Sequence, residues 1–155
     1  MSVSERLAEL GIPLPAVFPP VAAYVPAKVH GDLVYTAGQL PMVDGALPAT
    51  GKVGDGEGLV SAADATAYAR QCALNAIAAA AAAVGGVDRL GGVVKVVGFV
   101  ASVPSFTGQP GVVNGASELL GEVFGESGRH ARSAVGVPVL PLDSPVEVEV
   151  VFSVI

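Results

Sequence analysis

The chain is short of charge, of aromatic side chains and of sulfur. Charged residues make up 14% of its 155 positions and aromatics 5%, with no Trp and a single Cys. Each shortage excludes something. Cys72 alone can form no intrachain disulfide, which excludes a disulfide-stapled secreted mini-domain. The most apolar run, Ala76 to Val84, falls far below the roughly 20 residues that cross a bilayer, so no membrane partner is expected. Eight Lys and Arg against fourteen Asp and Glu give a net charge of −6, which offers the phosphates of a nucleic acid little to hold. Met1 to Arg6 carry an early acid and no apolar stretch, unlike a signal peptide, and a cytoplasmic location is expected.

What is present instead is small and apolar. Ala, Val and Gly number 25, 28 and 20, and hydrophobic residues reach 52%, which excludes intrinsic disorder. Small side chains imply close packing, and a surface so poor in charge is expected to be partly buried in an oligomer.

The length suits one domain, 1–155, without repeats or linkers. Residues 1–20 read as a short helix capped by Ser4 and stopped by Gly11, then a stretch rich in Pro (Pro13, Pro15, Pro19, Pro20). Ala23–Val25 and Leu33–Thr36 flank His30-Gly31-Asp32 as a hairpin. Residues 41–60 are rich in Gly and aperiodic, a long loop. Ser61 opens a helix to about Val84, ended by Gly85-Gly86. Val-rich 91–103 reads as a strand buried on both faces, 106–124 as a second long helix, 133–139 as a strand, and 146–154 as an alternating strand. The order β-β-α-β-α-β-β reads as one α+β domain.

Familiar site motifs are missing. Gly45 to Lys52 has one residue too many between its glycines for a phosphate loop, and Val53 stands where Ser or Thr would bind magnesium. Gly54, Gly56 and Gly58 lack the dinucleotide spacing. His30, Cys72 and His130 share no metal-ligand spacing, so no metal site is expected. Cys72 sits among alanines as a small core residue. Two features remain. Arg132 opens an apolar strand, where its forked donor suits a small carboxylate or else a surface ion pair with Glu126 or Asp143. Glu147 and Glu149 share one strand face, either as a solvated surface or as a positioned base and water holder.

The run Ala131-Arg132-Ser133-Ala134-Val135-Gly136-Val137, with Leu140-Pro141 and Val146-Glu147-Val148-Glu149, resembles the signature of the RidA (YjgF/YER057c/UK114) family. Tyr24-Val25-Pro26, Tyr35-Thr36-Ala37-Gly38-Gln39-Leu40-Pro41, Thr50-Gly51-Lys52-Val53, Val94 to Val100, and Phe106 with Val113-Asn114 resemble further family segments in order, over about residues 20–155. The resemblance implies a chorismate-mutase-like fold of two helices packed on a mixed sheet, a homotrimer with ligand clefts between subunits, and cofactor-free hydrolysis of reactive 2-imino acids to 2-keto acids and ammonia. By position, Arg132 would clamp the substrate carboxylate and Glu147 would position water. The Ala134 N–H and the Gly38 backbone would hold substrate, with Tyr24 and Asn114 lining the cleft. Ala134 stands where many members have Cys, and Ala37 replaces a small hydroxyl residue. The N-terminal extension and the enlarged 41–60 segment point to a divergent subgroup. Arg129 and His130 beside Arg132 either extend the pocket or stand as exposed flanks, the latter being the commoner outcome. Non-catalytic binding of small carboxylates on the same trimer is the alternative; the endoribonuclease activity ascribed to some members ranks last, given the negative charge.

Overall fold

A computed structural model describes residues 1–17 and 22–155. The strand order follows from where the apolar residues can be covered. Helix α1 (Val3–Leu10) leads to the hairpin β1 (Ala27–His30) and β2 (Leu33–Thr36), helix α2 (Ala62–Val84), and strand β3 (Leu90–Ala101). Helix α3 (Gln109–Phe124), strand β4 (Ala131–Val137) and strand β5 (Val146–Val154) complete the chain. The five strands form one sheet in the order β1-β2-β5-β3-β4. The β3–β4 pair is parallel and the others antiparallel, so the sheet is mixed, and among the described residues no strand pairs with the outer side of β4.

Both long helices cover one face. Ala65, Ala69, Cys72, Ala73, Ala76, Ile77 and Ala80 of α2 and Val112, Val113, Ala116, Leu119, Leu120 and Val123 of α3 are buried there. Against them stand Val93, Val96 and Val100 of β3, with Val146, Val148, Val150 and Phe152 of β5. Helices α2 and α3 approach closely near Thr66, in the first part of α2. A Cβ at Gly115 would lie 2.0 Å from the Thr66 carbonyl oxygen, so the helices touch through backbone. Cys72 is part of this core, and burial together with the nearby Glu147 pushes its thiol well above the usual range.

The element order matches the sequence reading, and several boundaries move. The cap of α1 is Ser2, not Ser4: Ser2 and Glu5 close a capping box, while Ser4 binds the Asp88 carboxylate through its N–H and its hydroxyl, both at 2.7 Å. Ala23–Val25 are not strand; β1 begins only after Pro26, which has no N–H for a ladder. Helix α3 begins at Gln109 rather than 106, because Pro110 fits only a first turn. Strand β4 starts at Ala131, two residues before the expected Ser133, where pairing with Lys95 begins. Pro19 and Pro20 lie outside the described residues. Residues 41–60 are a loop pinned at several points: the Asn75 side chain donates to Leu40 O and Met42 O, and Val53 bonds the end of β3.

One expectation fails in the single chain. Strand β3 is not buried on both faces: Val94 is 44% exposed, and Lys95, Val97 and Phe99 are half-buried. They lie on a helix-free face with Tyr35, Val135 and Val151. No described helix is long and apolar enough to cross a membrane.

Candidate active site

Strand β5 alternates, so burying Val146, Val148 and Val150 under the helices turns Glu147 and Glu149 to the helix-free face. Opposite them β2 carries a bulge. Tyr35 pairs with Val151 and Gln39 with Val148, which leaves Thr36, Ala37 and Gly38 facing only Glu149 and Val150. The Thr36 hydroxyl fills the gap by accepting from Val150 N at 3.0 Å. The bulge brings Gly38 against Glu147, where an added Cβ would lie 2.5 Å from Glu147 Oε1. Glycine at this position leaves the Glu147 carboxylate room in its present rotamer, since a larger residue would have to push that side chain aside. Half-burial, with Glu149 beside it, raises the Glu147 carboxyl above its usual pKa.

Gly38 also borders a cleft of about 280 Å³ lined by Tyr24, Leu40, Met42, Gln71 and Asn75 among others. Tyr24, in the bend before β1, is exposed there rather than packed.

Arg132 stands elsewhere. Val96, its register partner, is buried under the helices, so Arg132 also turns to the helix side, and its guanidinium meets the first turns of α3. Nη1 donates to Asn114 Oδ1 at 2.8 Å and Ser117 Oγ at 3.2 Å, and Nη2 donates to Pro110 O at 3.2 Å. All three acceptors are neutral. No described carboxylate pairs with Arg132; Glu126 lies near Arg129 at 3.7 Å instead. The surface ion pair, one of the two readings of Arg132, is not found among the described residues, which leaves the guanidinium with neutral partners. Of the five donors of a guanidinium, three are used, so Nε–H and one Nη2–H remain for a ligand.

The edge adds a further donor. Val137 O accepts from Ser102 N, so 131, 133, 135 and 137 turn their backbone groups toward β3. By alternation the N–H groups of Arg132, Ala134 and Gly136 point outward from the unpaired edge. Arg132, Asn114 and the Ala134 N–H thus share one edge.

The six expected residues fall into two groups. Tyr24, Gly38 and Glu147 are joined around the bulge, while Asn114, Arg132 and Ala134 lie on the opposite side of the sheet at its far edge. Strands β5 and β4 are separated by β3, about 10 Å across. Proximity in sequence does not bring Arg132 to Glu147 within one chain. His130, expected as an exposed flank, is half-buried with its ring against Ser117. Ser117 was not singled out in the sequence, although its spacing one turn beyond Asn114 places both on one helix face.

Residues 4–154 match the family described as "YjgF/chorismate mutase-like, putative endoribonuclease". Protein TCP17 of Trypanosoma cruzi is 45% identical over 148 residues, 95% of this chain and 91% of that protein. The crystal structure of Atu1372 from Agrobacterium tumefaciens, of unknown function, superposes with a TM-score of 0.87 at 42% identity, covering 99% of this chain and 92% of that one. The YjgF gene product of E. coli gives 0.64 at 26% identity, over 90% and 96%. Two main helices on a mixed five-stranded sheet make up the YjgF chorismate-mutase-like fold. The chain belongs to the YjgF/chorismate mutase-like family.

Proposed function

We propose that this chain is an imine deaminase that hydrolyses small 2-imino acids to 2-keto acids and ammonia in clefts between the subunits of a homotrimer. The observation that carries this reading is Arg132, a half-buried cation held only by neutral acceptors with two donors to spare. Such a group suits one anionic ligand, a carboxylate bound by parallel bonds. The Asn114 amide and the Ala134 N–H extend the donor set. Glu147 and Gly38 come to this cleft from a second chain, because one chain holds them on the other side of its sheet. The apolar helix-free face with Tyr35, Val94 and Val135, each more than 40% exposed, supports such an assembly.

The chemistry asks for little more. Glu147 takes a proton from water as the water oxygen bonds to C2 of the protonated imine. The carbinolamine nitrogen then receives that proton from Glu147. The C–N bond breaks, the hydroxyl proton passes back to Glu147 and from there to the departing ammonia, so that ammonium leaves, the 2-keto acid is formed and the Glu147 carboxylate is restored. Orientation supplies much of the rate, since the imine carbon is already electrophilic. A raised carboxyl suits a base working near neutral pH. No cofactor enters any step.

The direct assay generates a 2-imino acid with an amino-acid oxidase and follows its decay with and without the protein. Faster decay is expected, and decay at the buffer rate contradicts the reading. A protein that binds 2-keto acids without turnover would instead be a small-carboxylate binding protein.

Glu147→Gln separates catalysis from binding. It is expected to abolish hydrolysis while leaving 2-keto acid affinity within a few-fold, read by calorimetry. Its stability should shift with a defined sign. A carboxyl whose folded pKa is raised binds its proton more tightly folded than unfolded. The charged form therefore costs stability above the folded pKa, and that cost vanishes below the unfolded one. Glu147→Gln should raise Tm at pH 7, with the gain shrinking on acidification; a Tm lowered at pH 7 contradicts this.

A further inference from the structure

We propose that Ser117 and His130 are positioning residues for the carboxylate clamp, acting through Arg132 without touching the ligand. The inference rests on Arg132 as the carboxylate site. His130 and Arg132 are alternate residues turned toward α3, where Ser117 meets both. His130 Nδ1 lies 2.6 Å from Gly128 O, and Nε2 lies 2.9 Å from Ser117 Oγ. A carbonyl oxygen only accepts, so Nδ1 carries the ring proton. In the Nδ1–H tautomer Nε2 presents a lone pair, to which the Ser117 hydroxyl donates. This leaves the Ser117 oxygen as an acceptor toward Arg132 Nη1 at 3.2 Å.

The relay starts at a fixed point. Gly128 is buried, and a Cβ there would lie 2.6 Å from Leu120 O, so the turn Gly125–Gly128 tucks under the end of α3 with its carbonyl set in place. In that tautomer the bonds run one way from Gly128 O: His130 Nδ1 donates to the carbonyl, Ser117 donates to Nε2, and Arg132 donates to Ser117. A free serine hydroxyl could rotate its proton toward the guanidinium and repel it. Bonded to His130 it can only accept, which holds the Arg132 fork with Nε–H and one Nη2–H turned to the edge.

The test measures binding of 2-ketobutanoate by calorimetry together with KM and kcat for imine hydrolysis. Ser117→Ala should weaken binding and raise KM about tenfold with kcat within twofold, as expected for one hydrogen bond to a charged group. Ser117→Thr keeps the hydroxyl and should restore most of the affinity. His130→Ala should weaken binding less, and the double variant should bind no worse than Ser117→Ala alone, because His130 acts through Ser117. Unchanged affinity in Ser117→Ala, or additive losses in the double variant, would overturn the relay. Arg132→Ala is the control: if it binds as tightly as the parent, the clamp itself is wrong. If only the Ser117 and His130 variants are silent, the clamp stands and the relay fails. Long-range nitrogen–proton spectra test the relay without ligand: the Nδ1–H tautomer of His130 is expected, and an Nε2–H tautomer would overturn it.

Discussion

Replacing Arg132 by Ala is expected to lower kcat/KM for 2-imino acid hydrolysis by about two to four powers of ten. Two charge-assisted hydrogen bonds to a carboxylate are lost, each worth about 1.5–3 kcal/mol. Arg132→Lys should recover only part of this, because a point charge keeps the attraction and loses the fork. Stability should barely respond. The acceptors left behind, Asn114 Oδ1, Ser117 Oγ and Pro110 O, sit at a partly exposed edge that water reaches. A variant with wild-type kcat/KM would remove Arg132 from the site; one that fails to fold would mean that the guanidinium supports α3 rather than a ligand.

The second large effect is on the fold. Gly115→Ala places a methyl 2.0 Å from the Thr66 carbonyl, at the contact of the two helices. The obstacle is backbone, so no rotamer change relieves it, and α2 and α3 must separate along a row of buried alanines. A loss near the upper end of the overpacking range, about 3 kcal/mol, is expected. That corresponds to a fall in Tm of roughly 6–12 °C for a domain of this size. Gly111→Ala is the matched control: it lies in the same helix with no neighbour within 4 Å of its added Cβ. It should be neutral or slightly stabilising. Equal effects at the two positions would mean that helix propensity, not the close contact, decides.

The contrast between these positions shows what sequence could and could not reveal. Helix α2 was legible from its cap at Ser61 and its closing glycines, and β5 from strict alternation that assigned Glu147 to one face. Family resemblance supplied the fold and the six site positions. The faces of β4 were not legible. Arg132, Ala134 and Gly136 alternate with Ser133, Val135 and Val137, and neither set is clearly the core set. Only the register, which places Arg132 against buried Val96, settles that its guanidinium meets α3. The same ambiguity hid His130, which is polar in a strand lead-in and reads as exposed until Ser117 is brought beside it. The bulge at Ala37-Gly38 was equally invisible, since it depends on the Thr36 hydroxyl replacing a ladder bond 114 residues away in sequence.

The split of the site between two faces of one sheet leads to the most direct test. Arg132→Ala and Glu147→Gln subunits, each inactive alone, are co-expressed in equal amounts and the mixed assemblies assayed for imine hydrolysis. If each site takes Arg132 from one subunit and Glu147 from its neighbour, about a quarter of the sites regain both groups in a closed ring of randomly mixed chains. Activity near 25% of the parent is the predicted result. Activity no higher than that of the separate variants would contradict the account, since it would mean that both residues must come from the same chain.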